Sequence, residues 1–354
     1  MTTALQLPAP GVRGDSAARG WTGHLWRLLL VVTVAGGGLW TASHGVAGAA
    51  WGDVLTVLRQ LRLGQVAALT AIWLGGLGVY ATVLSAALPG LGVRRGLLLN
   101  LSGSAVANVI PFGGAVATGL NWRMVNRWGH SNLAFATYCV LTNMLDVGTK
   151  LVLPVVAVLG LRIVSVHVPT TLWVVAAVCA AVLLVTWAVQ ALVVQLVPPD
   201  EPAGPTPPPV RAGWWPADLL GPLRQTAVRT RALLVRHWGR LLPASAAYVT
   251  AQVILLGFSL RAVGLHAPLT VVLMAAAIER LSSLVPLTPG GAGVAEVGTI
   301  AWLVAAGLDP VEVVAGVLVY RFFLIAMEVP AGGLLLGAWA WFQRAPRQAL
   351  VPAP

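Results

Sequence analysis

Six runs of around 18 or more mostly apolar residues lie at about 25–43, 66–89, 133–160, 170–197, 241–264 and 311–341. They restrict the possible folds more than any other feature of the chain. Backbone amides in hydrocarbon have no water to bond to, so runs of this length close their hydrogen bonds internally as spanning helices. The pattern predicts an all-α polytopic membrane protein with about six full spans. Composition points the same way: 9% of residues are charged, against roughly a quarter in a soluble domain.

Two further apolar stretches, 97–127 and 268–307, are broken at their centres. The first break reads VIPFGGAV, residues 109–116, and the second PLTPGGAGVAEVG, residues 286–298. Proline removes a backbone donor and Gly-Gly removes the preference for helical φ/ψ. Each stretch is therefore expected to run helix, break, helix, as a re-entrant or double-span hairpin. Gly113-Gly114-Ala115 precedes the long run 133–160, as Gly290-Gly291-Ala292 precedes 311–341. Three full spans separate the breaks, so the second enters from the opposite face. The two halves then form an inverted repeat, an architecture found in many transporters.

The domain plan follows from these runs: an N-terminal tail at 1–24, a first membrane half at 25–197, a linker at 198–240, a second half at 241–342 and a tail at 343–354. The proline-rich connector 198–216 cannot be helical. After it, leucines interleaved with arginines over 217–240 predict an amphipathic basic helix on the membrane surface. The first apolar run is long enough to span, so the N-terminus does not read as a cleaved signal peptide.

The net charge of +11 comes from 21 arginines and Lys150. Fifteen of those arginines fall on one side if the N-terminus is cytoplasmic, against Arg59, Arg62 and Arg162 on the other. Cytoplasmic loops carry such an excess, so both termini are expected inside a bacterial plasma membrane. The arrangement marks topology rather than a nucleic-acid face.

Ionisable residues within spans cost roughly 2.5–3.5 kcal/mol each at helix centre on insertion scales, and this chain keeps several. Asp146 and Lys150 are one turn apart and can pair. Arg321 and Glu328 are two turns apart and share a face. Glu279 and Arg280 precede the second break, and an interfacial position would let them and Glu328 reach water. Glu296 follows the break, in the first turn of the next half-helix, where a carboxylate also caps the helix dipole. A half-helix that starts after Gly-Gly presents unpaired N–H groups, an anion site in principle, with Arg280 and Arg321 near it in sequence. Tight helix crossing is the other use of such glycines.

Cys139 and Cys179 lie in separate apolar segments, and the six histidines show no metal-ligand spacing. GGAGVAEVG follows no strand and lacks Gly-Lys-Ser/Thr, so it is neither a dinucleotide fingerprint nor a P-loop. Ser102, Ser104, Ser282 and Ser283 lack any histidine at plausible range. The sequence predicts no enzyme, no cofactor and no metal.

LSSLVPLTPGGAGVAEVG resembles the signature of the flippase-like, lysylphosphatidylglycerol synthase transmembrane-region family. VLVYRFF, with Arg321, is similar to the family's arginine on the last long helix. NVIPFGGAV, with Asn108 before the turn, resembles the first-repeat counterpart. The resemblance covers about 25–342. Family members commonly carry an acidic residue soon after the first glycine turn, whereas Ala115-Val116-Ala117-Thr118 follows here. Full-length aminoacyl-lipid synthases add a soluble transferase domain whose pattern is missing from these 354 residues. The resemblance therefore implies the membrane half, and lipid translocation rather than synthesis.

Together these readings predict translocation or binding of an anionic phospholipid or lipid-linked substrate. Gly290, Gly291 and Gly293 would form the turn, Glu296 and Arg280 polar contacts, and Arg321 the headgroup charge. Gly113, Gly114 and Asn108 would contribute from the first break, while Asp146, Lys150 and Glu328 would serve as coupling groups or a structural ion pair. Two other readings stay open. One is an ion-coupled secondary transporter of a small solute. The other is a non-catalytic membrane partner of a separate synthase or glycosyltransferase. A lateral opening to the bilayer favours the lipid reading, and co-purification with an enzyme the partner reading.

Overall fold

The computed structural model describes residues 48–109, 113–164, 169–196, 217–284 and 291–344. The expected first span, the connector 198–216, the N-terminal tail, residues 345–354 and Gly290 lie outside these residues. Every regular element within them is helical: α1 (Trp51–Arg59), α2 (Leu63–Ala87), α3 (Val93–Val109), α4 (Gly113–Arg127), α5 (Asn132–Ile163), α6 (Thr170–Leu196), α7 (Ala217–Ala262), α8 (Leu269–Ser282), α9 (Val294–Ala305), α10 (Pro310–Arg321) and α11 (Glu328–Arg344), with a π-helical turn at Phe322–Ala326.

Local chemistry starts these helices where the loops end. Ser131 accepts the Ala134 N–H at 3.2 Å and so opens α5. Asp309 accepts from Val311 and Glu312 at 2.9 and 3.1 Å, with Pro310 in the first turn of α10, where its missing N–H costs nothing. Five segments are long and apolar enough to cross a membrane: 63–87, 132–163, 170–189, 225–262 and 310–343. They coincide with five of the six predicted runs. α6 is the least enclosed of them, and its exposed Leu184, Val185 and Trp187 suit contact with lipid.

The two broken stretches are helical hairpins. Gly103 faces Asn121 across the first, and Trp302 Nε1 donates to the Val271 carbonyl at 3.0 Å across the second, so the arms of each run antiparallel. Their arms hold 17 and 15 residues in one hairpin and 14 and 12 in the other. At about 1.5 Å per residue, none spans a hydrocarbon core of about 30 Å alone.

Packing between the halves is reciprocal. The span after the first hairpin, α5, packs on α8 of the second, while α11 after the second packs on α3 of the first. The helices that lead into the hairpins, α2 and α7, pack on each other. An inverted repeat produces this exchange, and it brings one arm of each hairpin against the other half. Close approach depends on bare glycine: a methyl on Gly332 of α11 would collide with the Leu101 carbonyl of α3.

The basic stretch 217–240 differs from its expectation as a separate surface helix. It continues without interruption into the following span as one helix of 46 residues. Leu233, Leu234 and Leu241 are drawn into an apolar core with Val83, Leu84, Leu88 and Met124. Burial of that face aligns the stretch with the span, and Arg229, Arg231, Arg236 and Arg240 are left exposed.

Candidate functional site

Where the hairpins meet, the bundle forms an open polar cavity of about 300 Å³. Its wall takes residues from both halves: Tyr80 on α2, three residues of α3, Asp146 and Lys150 on α5, and Tyr248 and Gln252 on α7. Glu279 and Arg280 on α8, Ser283 just after it, Arg321 on α10 and Glu328 on α11 complete its polar lining.

One end is built around Arg321. Its Nη1 donates to Glu279 Oε1 at 2.8 Å and its Nε to Glu296 Oε1 at 2.8 Å. The Tyr320 hydroxyl donates to the other Glu279 oxygen at 3.4 Å. Arg321, Glu279 and Glu296 are 6%, 4% and 8% exposed, so this is a buried triad and not a set of interfacial side chains reaching for water. Glu296 does two things at once. Besides binding Arg321, its Oε2 accepts the Gly293 N–H at 2.7 Å and closes the first turn of α9. Gly291 (φ +68°) and Gly293 (φ +90°) occupy backbone conformations that favour glycine and set this geometry. The helix end expected to offer unpaired N–H groups is thus already engaged by a carboxylate of its own.

The other end is built around Asp146. Lys150 Nζ lies 2.8 Å from Asp146 Oδ2, the i, i+4 pair expected from the sequence. Arg280 Nη2 reaches Asp146 Oδ1 at 3.3 Å and Thr149 Oγ1 at 3.1 Å, and its Nη1 donates to Gln252. The Arg280 Nε is buried with no hydrogen-bond partner.

A charge count separates the two ends. Two cations share the single carboxylate of Asp146, leaving one positive charge in formal excess. Two carboxylates share Arg321, leaving one negative. Glu328, 8% exposed, also lines the cavity, and no lysine or arginine among the described residues lies within salt-bridge distance of it. Arg321 and Glu328 open onto the same space as expected, though the π-helical turn separates them.

Of the other anticipated residues, Asn108 lines the cavity. Gly113 acts through backbone proximity: a methyl there would stand 2.6 Å from the Val106 carbonyl oxygen. Gly114 has open space where a side chain would project. Glu296 stands behind Arg321, outside the cavity lining. Several lining residues escaped the sequence reading, among them Tyr80, Asn100, Ser104, Tyr248 and Gln252. One signal for them was present: Asn100, Ser104 and Asn108 recur every four residues, which puts a polar stripe on one face of α3.

The described residues form an all-helical bundle with five helices long and apolar enough to cross a membrane and a charge-lined cavity, the architecture of a multi-pass membrane protein. Residues 25–332 match the family model described as lysylphosphatidylglycerol synthase TM region, and the chain belongs to that family. A search of curated proteins finds no match to the chain.

Proposed function

We propose that the protein takes an anionic phospholipid or lipid-linked substrate by its headgroup and moves it between leaflets. The observation that carries this reading is the positive end of the cavity, where Lys150 and Arg280 share one carboxylate. A phosphate there would find a surplus positive charge. At the other end Arg321 is saturated by two glutamates, so it organises the site and leaves the anion to Lys150 and Arg280. Membership of a family described by a lipid synthase supports a lipid over a soluble solute.

In this reading the protein is a carrier rather than an enzyme and needs no cofactor. The short hairpins are re-entrant, each entering and leaving by one face, so that their breaks meet near the midplane. Both termini are cytoplasmic in a bacterial plasma membrane, as the arginine bias directs. Movement is passive or ion-coupled, with Asp146, Lys150 and Glu328 as the groups available for coupling.

The test is reconstitution with fluorescent anionic phospholipids and a membrane-impermeant quencher. Wild-type proteoliposomes should exchange the probe faster than empty vesicles. Lys150→Gln should slow exchange by roughly 30-fold, the equivalent of one charge-assisted contact worth about 2 kcal/mol. Wild-type vesicles no faster than empty ones across a panel of anionic lipids would end the translocation reading.

A further inference from the structure

The charged cavity has an uncharged annex. Helices α2, α3, α4 and α5 border a second, open space of about 250 Å³ that shares Tyr80, Asn100 and Ser104 with the first. Among the described residues no aspartate, glutamate, lysine or arginine lines it; the polar wall is amide and hydroxyl, including Thr118, Asn121, Tyr138 and Thr142. The two threonine hydroxyls donate within their own helices, to Gly114 and Tyr138 carbonyls at 2.8 Å each, and turn lone pairs outward. The side chains of Asn100, Asn121 and Tyr138 make no hydrogen bond among the described residues, and Asn121 Oδ1 is fully buried without one.

Unpaired buried amides and phenols cost roughly 1–3 kcal/mol each. Asn121 Oδ1 is such a group, and with the Asn100 amide and the Tyr138 hydroxyl on the same wall it offers donors and acceptors to something that bonds them. An acyl tail would leave them unmet, and a phosphate would find no cation. Carboxamides both donate and accept, and a hydroxyl does the same, so the complementary ligand is neutral and rich in hydroxyls. The polar stripe of α3 continues from the charged space into the annex through Asn100 and Ser104, so one headgroup can occupy both.

We propose that the annex binds the neutral polyol or sugar portion of a lipid headgroup while its phosphate rests between Lys150 and Arg280. This rests on the lipid reading above and narrows its substrate class. The experiment uses the purified full chain and native mass spectrometry with three short-chain lipids of equal single negative charge: phosphatidylmethanol, phosphatidylglycerol and phosphatidylinositol. Occupancy should rise along that series, with phosphatidylinositol preferred over phosphatidylmethanol by about tenfold or more. Tyr138→Phe, which keeps the ring, and Asn121→Leu should each cut that preference about threefold or more. Equal binding of all three lipids, or an undiminished preference in both variants, overturns the annex proposal and leaves the lipid reading standing. Failure of every lipid to bind overturns both.

Discussion

Arg321→Met is the sharpest perturbation of the site. The substitution keeps most of the side chain's length and removes the only positive charge between Glu279 and Glu296, both bonded at 2.8 Å. The three side chains are 7%, 6% and 10% exposed, so neither orphaned carboxylate gains water in exchange. Breaking a buried pair from one side costs about 3–5 kcal/mol. Glu296 also caps α9, so part of the disturbance would reach the second hairpin. Lys150→Gln differs in kind: Asp146 is 35% exposed and keeps Arg280, so the loss should stay at about 1 kcal/mol or less. Thermal unfolding in detergent, with both variants beside the wild type, reads this contrast. Arg321→Met should melt well below Lys150→Gln, and adding Glu279→Gln and Glu296→Gln to it should restore part of the difference. The burial argument fails if Arg321→Met melts within about 1 °C of wild type.

Two further outcomes concern backbone positions. Gly332→Ala should destabilise by about 1–3 kcal/mol, because its methyl meets the fixed Leu101 carbonyl, while neighbouring Gly333→Ala, with open space, should be neutral or better on the same melting assay. Gly293→Ala forces a side chain into a backbone at φ +90° and should cost about 1–3 kcal/mol, read as earlier proteolysis at the second hairpin than in wild type.

The polar chemistry was only partly legible in advance. The Asp146–Lys150 pair is written into one helix, since i, i+4 spacing puts the two side chains on one face whatever surrounds them. Arg321 lies 42 positions from Glu279 and 25 from Glu296, and sequence distance carries no information about which of them it meets. Reading Arg321 as the headgroup cation followed from its type and neighbourhood. Its saturation by two glutamates became visible only once α8, α9 and α10 were packed together. Gln252 and Tyr248 were hidden differently, as isolated polar residues within an apolar run whose facing direction depends on its neighbours.

The sequence by itself determined that the chain is helical and crosses the membrane, because apolar length and the cost of unpaired backbone in hydrocarbon leave no alternative. It also marked the two breaks, where proline and Gly-Gly stand together, whereas Pro154 alone is carried inside α5. Tertiary structure decided which end of the cavity holds surplus positive charge. That depends on which carboxylates share which cations, and such sharing is settled only when helices distant in sequence are pressed together in a medium without water.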